Sequence, residues 1–124
     1  MRSADQRQSL LGVLTRYASD PLFEEGSSLS VSSRTIDGDT LLHRDVLQED
    51  CIGAEILLVN GADVNAGGDM GNTPLHYAIQ TNNPHLVELM MKFGADINIR
   101  NEFGMSALDW AKDCGHDEIM RGLG

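Results

Sequence analysis

The fold is decided by the stretch GNTPLHYA at residues 71–78. Its glycine, threonine or serine, and leucine recur with the same spacing 33 residues earlier, at 38–45, and 33 residues later, at 104–111. A second stretch, GADIN at 94–98, likewise repeats GADVN at 61–65. Repeats of this length are single supersecondary units that bury their apolar faces only by stacking on one another. The chain is therefore predicted to be a stack of about three such units.

Each unit is predicted to contain two short helices and a loop. In the middle unit Thr73 can cap the first helix, and Pro74 suits its first turn. Pro84 can open the second helix, and Gly94 can end it because glycine tolerates the left-handed conformation. The pattern predicts helical hairpins over residues 40–60, 73–93 and 106–122.

The two repeated stretches resemble the signatures of the ankyrin repeat. The resemblance covers about residues 37–124, as three repeats of which the last is truncated. It implies an all-α solenoid of helix-turn-helix units with protruding loops, and a protein that binds other proteins through loop tips and first-helix faces. It also implies that His43 and His76 hydrogen-bond between neighbouring loops rather than bind ligands.

Residues 1–36 are expected to cap this stack with an amino-terminal helix followed by a loop. Leucines and other apolar residues lie at helical spacing within residues 4–18, and Leu10, Leu11 and Leu14 are expected to cover the first repeat. Solenoids need such caps because a terminal unit otherwise leaves its stacking face in water. The cap and residues 37–124 are expected to form one structural domain.

The first and third units depart from the pattern. Leu41 replaces the proline of the middle unit, and Asp45 stands where Ala78 stands. Because an unpaired buried charge is costly, Asp45 is expected either to reach solvent or to pair with an arginine, the candidates being Arg7, Arg16 and Arg44. In the third unit Asp109 replaces the histidine.

The composition narrows the class of partner. A net charge of −10 argues against nucleic acid and anionic membranes and favours a basic protein. No run approaches the roughly 18 apolar residues of a membrane span, and no signal peptide is readable. Two distant cysteines fit a reducing compartment. We therefore expect a cytoplasmic monomer.

Catalysis has no support in the sequence. No serine has the glycine context of a nucleophile elbow, and no glycine-rich phosphate loop occurs. Cys114 and His116, with two neighbouring carboxylates, lack a second ligand pair at zinc spacing. We expect no catalytic, cofactor-binding or metal site.

Apolar loop residues and a local excess of acid indicate the candidate binding surface. We place Ile36, Met70 and Phe103 at equivalent tips of three successive loops, where they either contact a partner or pack on the adjacent loop. Residues 34–66 carry a local charge of −5, which is either a solvated face or a patch that steers a basic partner. The candidate partner-binding residues are Ile36, Asp37, Asp39, Gln48, Met70, Asn72, Gln80, Thr81, Glu102, Phe103 and Met105.

Three hypotheses for function follow. The most specific is an inhibitory binder, such as a compact bacterial immunity-type protein that neutralises a cognate toxin. The alternative is a general intracellular adaptor or regulatory subunit, and an enzyme comes third. The small size, strong acidity and amino-terminal segment motivate the first hypothesis.

Overall fold

The helices begin at the capping residues that the repeated pattern indicates. The computed structural model describes residues 12–14 and 33–114. Within 33–114 the elements are α1 (Leu41–Leu47), α2 (Cys51–Val59), a 3-10 turn (Asp69–Gly71), α3 (Pro74–Gln80), α4 (Pro84–Lys92) and α5 (Ala107–Cys114). Extended backbone in this range is limited to two isolated antiparallel bridges, Arg34 with Thr40 and Arg100 with Ser106. The predicted all-α fold is confirmed.

The first two units are helical hairpins closed by tight turns. Glu49 and Asn82, which are 33 residues apart, both take left-handed backbone conformations in these turns, with φ of 57° and 56°. The next residue then caps the second helix, Asp50 for α2 and Asn83 for α4. The hairpins predicted over 40–60 and 73–93 are confirmed. The second half of the hairpin predicted over 106–122 lies outside the described residues.

The helices stack in two layers with the core between them. The first helices α1, α3 and α5 form the inner layer, and α2 packs beside α4 in the outer layer. Side chains from both layers fill the core, and the largest fully buried apolar ones are Leu41, Leu42, Val46, Leu57, Leu75, Ile79, Leu86 and Met90. No helix in the described ranges has the length and apolar character that a membrane span requires.

The amino-terminal cap is described only at residues 12–14. These residues are helical, and Val13 is only 2% exposed within the core cluster, where Leu14 packs against it. Val13 thus belongs to the same buried cluster as Leu41 and Leu42 of the first unit, and the role of residues 1–36 as a cap stays a prediction. The remainder of the helix predicted over 4–18, with Leu10 and Leu11, lies outside the described residues.

The GADVN stretch ties the first loop to the second. The Asn65 Oδ1 atom accepts a hydrogen bond from the Asp96 N–H (2.8 Å), and its Nδ2 donates to the Gly94 carbonyl (3.3 Å). Asn65 is itself oriented by Asp63, whose carboxylate accepts from the Asn65 N–H (2.9 Å). Asn65 therefore fixes the register between the first and second loops.

Asp45 is fully buried in α1, so the alternative that its carboxylate reaches solvent is wrong. Its backbone carbonyl accepts from the Asp50 N–H (2.8 Å), which closes the turn between α1 and α2. Pairing of the carboxylate with an arginine stays a prediction, since Arg7 and Arg16 lie outside the described residues.

A buried histidine clamps each of the first two units to the loop that follows. The Thr40 N–H donates to His43 Nδ1 (3.1 Å), and His43 Nε2 lies 2.7 Å from the Asn72 carbonyl. Because Nδ1 accepts, the proton lies on Nε2, which donates to the carbonyl. His76 repeats this arrangement with Thr73 (3.0 Å) and the Met105 carbonyl (2.9 Å). The role expected for both histidines is confirmed.

Asp109 keeps one half of this clamp. Its carboxylate accepts from the Ser106 N–H (3.0 Å), and the Ser106 hydroxyl accepts from the Asp109 N–H (3.1 Å), which is a reciprocal cap of α5. Hydrogen bonds from Ser106 to the Asp109 carboxylate, first of all the one from its backbone N–H, lower the pKa of this carboxyl. An ionised carboxylate has no proton to donate, so the half of the clamp that reaches onward is missing.

The histidine clamp makes stability depend on pH. Burial lowers the pKa of His43 and His76 below the ordinary value, outweighing the hydrogen bonds to the Asn72 and Met105 carbonyls. Between the folded and unfolded pKa values the unfolded chain binds more protons, so stability falls as pH falls. The stability contributed by the neutral rings is complete above about pH 6.5 and is lost below it.

We expect the free energy of unfolding to decrease from pH 7.5 to pH 5, by at most about 1.4 kcal/mol per pH unit for each histidine. Urea unfolding followed by circular dichroism would measure it, above the range in which carboxyl groups titrate. His76→Asn should lower stability at pH 7.5 and flatten the pH dependence.

The matched control is His85→Gln, because His85 is exposed on α4. This variant should keep the slope of the unchanged protein. A stability that does not vary over this pH range, or an unchanged slope in His76→Asn, would contradict the clamp as the source of the pH dependence.

Candidate functional site

Three tight turns project from the inner-layer side of the stack, one before each first helix. Each is closed by a glycine N–H that donates to a carbonyl three residues earlier, at 3.0 Å in residues 35–38, 2.9 Å in 68–71 and 3.0 Å in 101–104. The closing glycines have φ of 98°, 74° and 78°, a conformation that side chains disfavour. The repeated glycine of the sequence is therefore required by the turn.

The tips of these turns carry exposed apolar side chains. Ile36 is 78% exposed, Met70 48% and Phe103 67%. None of these side chains is therefore fully covered by the adjacent loop, and their contact with a partner stays a prediction. The 33-residue register aligns Met70 and Phe103 with Asp37, so the expected equivalence of Ile36 is wrong by one position.

The remaining predicted residues divide by burial. Exposed ones are Asp37, Gln48, Gln80 and Glu102; half-buried ones are Thr81 and Met105; buried ones are Asp39 and Asn72. We call Ile36, Asp37, Met70, Glu102 and Phe103 the loop-tip surface. Gln48, Gln80 and Thr81 lie at the far ends of α1 and α3, away from the turns.

Asp39 and Asn72 hold the turns together. Asp39 Oδ1 accepts from the Tyr77 hydroxyl (3.0 Å) and from the Asp69 N–H (2.9 Å). Burial, followed by the charge of Asp39, raises the pKa of the Tyr77 hydroxyl, which remains a donor. Asn72 Oδ1 accepts from Asn101 Nδ2 (2.9 Å). Their polar groups are engaged within the protein, so their expected role as direct partner contacts has to be revised to one of positioning the loops.

Two arginines, Arg34 and Arg100, stabilise the turns by donating hydrogen bonds to backbone carbonyls. Arg34 donates through one guanidinium nitrogen to the carbonyls of Gly38 and Gly67, both at 2.7 Å. Arg100 donates to the Gly104 carbonyl (2.7 Å) and lies 3.4 Å from the Asp109 carboxylate. These cations are partly committed to backbone carbonyls, whereas the carboxylates of the loop-tip surface are exposed.

A pocket of about 290 Å³ opens between α3 and α5 and is lined by Gln80, Met105, Trp110 and Asp113. We call it the Trp110 pocket. Met105 follows the third turn directly, so the pocket adjoins the loop-tip surface. Gln80 and Met105 were expected in the binding surface, whereas Trp110 and Asp113 were missed. The 33-residue register would have found Asp113, because it is the counterpart of Gln80.

A second groove, of about 260 Å³, lies on the outer layer. It is lined by Cys51, Ile52, Glu55, His85, Glu88, Leu89 and Lys92. Burial and the charges of Asp50 and Glu49 raise the pKa of the Cys51 thiol, which therefore stays protonated and weakly nucleophilic near neutral pH. No group of three or more potential metal ligands comes together within the described ranges.

The junction of the first two turns should be intolerant of a side chain at Gly68. A Cβ there would overlap the Asp39 carboxylate and lie 2.8 Å from His43 Nε2. Both groups are fixed by hydrogen bonds and cannot move freely. We expect Gly68→Ala to reduce the free energy of unfolding by roughly 1–3 kcal/mol, measured by urea unfolding.

Gly67→Ala is the matched control, since the nearest atom to a Cβ at Gly67 is the Gly71 carbonyl oxygen at 3.9 Å. It should change stability by less than about 0.5 kcal/mol. Equal stabilities for the two variants would show that the junction is not close-packed.

Comparison with known proteins identifies the family. The chain matches the family model described as ankyrin repeats (3 copies) over residues 20–101 and over residues 42–123. Each match covers well over half of the 124 residues. No curated protein gives a significant match. Ankyrin repeats are non-enzymatic modules that bind other proteins, and the stacked hairpins described above have their architecture. The chain belongs to the ankyrin-repeat family.

Proposed function

We propose that the loop-tip surface and the Trp110 pocket form one face that binds a basic protein and inhibits it. In its most specific form, the chain is an immunity-type protein that occludes a cognate bacterial toxin. The observation that carries the proposal is the exposure of Ile36, Met70 and Phe103 on turns that are otherwise internally hydrogen-bonded.

The exposure of these apolar side chains to water is unfavourable unless a partner covers them. Phe103 is 67% exposed, and it contributes little to the core of its own unit. Large apolar side chains that become buried at the centre of an interface supply much of its binding energy. Phe103 and Met70 are therefore the proposed anchors.

Charge favours a basic partner. Asp37 and Glu102 are exposed on the same turns as the apolar tips, and the whole chain carries a net charge of −10. Such a field accelerates the encounter with a cationic protein and repels acidic ones. Both groups act mainly on the association rate, because exposed charges gain little from pairing.

Preorganisation supports tight binding. The turns are closed by backbone hydrogen bonds and linked to one another through Asp39 and through Asn72 with Asn101. Because few loop residues have to be ordered on binding, more of the contact energy appears as affinity.

Inhibition rather than scaffolding is favoured by the combination of small size and strong acidity. A toxin must be captured quickly, and electrostatic steering supplies a fast association rate. The second candidate function is an adaptor or regulatory subunit that uses the same face, because the tips and charges suit any basic partner. The two differ in the consequence of binding for the partner's activity.

The experiment takes as its partner a basic protein encoded beside this chain's gene, which an immunity-type role requires. Co-expression should restore the growth of cells that this protein poisons, and surface plasmon resonance should detect the complex. Phe103→Ala and Met70→Ala should each weaken binding by roughly 1–3 kcal/mol, mainly through faster dissociation. Asp37→Lys should slow association at low salt and have little effect at high salt.

Val59→Ala is the matched control, because Val59 is as exposed as Phe103 but lies on α2 in the outer layer. It should leave affinity and growth unchanged. Binding without rescue of growth, together with copurification of a stable host complex, would favour the adaptor. Equal affinity for all folded variants would remove the loop-tip surface from the interface.

A further inference from the structure

Two aromatic residues at the same repeat position have different surroundings. Tyr77 packs edge-on against His43 (5.3 Å between ring centroids, 74°), and Trp110 packs in the same way against His76 (5.1 Å, 88°). Tyr77 is only 6% exposed and donates its hydroxyl proton to Asp39. Trp110 is half-buried, and its indole N–H donates to no group in the described part of the chain.

The difference arises from the residue on the preceding loop. Asp39 supplies the acceptor for Tyr77, and its counterpart one unit later is Asn72. The Asn72 side-chain oxygen instead accepts from Asn101 Nδ2 (2.9 Å). The second junction therefore lacks the aromatic-to-loop hydrogen bond that closes the first, and the Trp110 pocket lies beside it.

The walls of this pocket combine apolar and anionic groups. Trp110 and Met105 offer an aromatic ring and a thioether, while Asp113 and Gln80 place oxygen acceptors at the edge. Asp113 is exposed and makes no ion pair with any described residue, and the neighbouring cation Lys112 does not line the pocket. An acidic ligand would be repelled by the Asp113 carboxylate, and a purely apolar one would make no use of the acceptors at the edge.

We propose that the Trp110 pocket binds an arginine side chain of the basic partner. The aliphatic part of arginine packs on Met105, its planar guanidinium stacks on the Trp110 indole, and its N–H groups donate to the Asp113 carboxylate and the Gln80 carbonyl. The Trp110 N–H then donates to a backbone carbonyl of the partner. The proposal rests on the proposed function in that the arginine belongs to the bound protein.

The chain contains a single tryptophan, so a single indole signal in the ¹H–¹⁵N spectrum reports on this pocket. We would titrate the full ¹⁵N-labelled chain with the blocked peptide Gly-Gly-Arg-Gly-Gly, up to about 10 mM, because so few contacts give millimolar affinity. Parallel titrations would replace arginine by citrulline, which has the same shape without the charge, by lysine, or by leucine.

The arginine peptide should shift the indole signal saturably and bind about three- to tenfold more tightly than the citrulline peptide. Asp113→Asn should weaken the arginine peptide by a similar factor. The matched control is Glu88→Gln, which removes one exposed carboxylate from the outer layer, and it should have no effect.

Several outcomes would overturn the proposal: equal binding of arginine and citrulline, tightest binding of leucine or lysine, an unchanged affinity in Asp113→Asn, or no shift with any peptide. The experiment needs no identified partner. If the pocket takes no arginine while Phe103→Ala still weakens the whole complex, only the pocket assignment fails. If the peptide binds but no inhibited partner is found, the proposed function fails separately.

Discussion

The structure depends on a hydrogen-bond relay through two buried histidine rings. Each ring accepts a hydrogen bond from the backbone N–H of its helix cap and donates another to a carbonyl of the next loop. One chain runs from Thr40 through His43 to Asn72, and the other from Thr73 through His76 to Met105. The same ring thus starts a helix and positions the following turn. Because each ring nitrogen has a fixed task, only the neutral tautomer with its proton on Nε2 satisfies both. Helix capping and the stacking of units are therefore coupled.

The relay also determines what the turns can present to a partner. His43 and Asp39 hold the second turn by hydrogen bonds, and the side chain at its tip is exposed. Met70 illustrates this, since its backbone adopts a left-handed φ of 59° while its carbonyl accepts from the Glu102 N–H (2.9 Å). At this tip the backbone carbonyl is hydrogen-bonded, while about half of the side chain is exposed. Side chains at such a position can vary without disturbing the fold.

Most of the fold could be predicted because short sequence motifs specify its helices and turns. The 33-residue period, the capping threonines and the loop glycines specify where α1 and α3 start, and the structure agrees. The candidate site was only partly predictable. Asp39 was predicted to be an exposed acidic residue, because the residues near it in the sequence do not indicate its hydrogen bond from the Tyr77 hydroxyl, 38 residues away. Trp110 was missed because the pocket exists only where two units meet and a neighbouring asparagine is already engaged. Long-range pairings of this kind depend on which side chains cross a junction, and a repeat pattern does not specify them.

Asp109 makes the third unit different from the first two in how it can stack on a following unit. It caps its own helix as His43 and His76 do, but its carboxylate is an acceptor, whereas the Nε2–H group of each histidine is a donor. A further unit built by copying the middle one would bring a backbone carbonyl towards that carboxylate, and two acceptors repel. Lengthening the array by design would therefore require histidine at position 109 before any new repeat is attached. The carboxylate at position 109 therefore disfavours this mode of stacking, and a change of one residue would remove that obstacle.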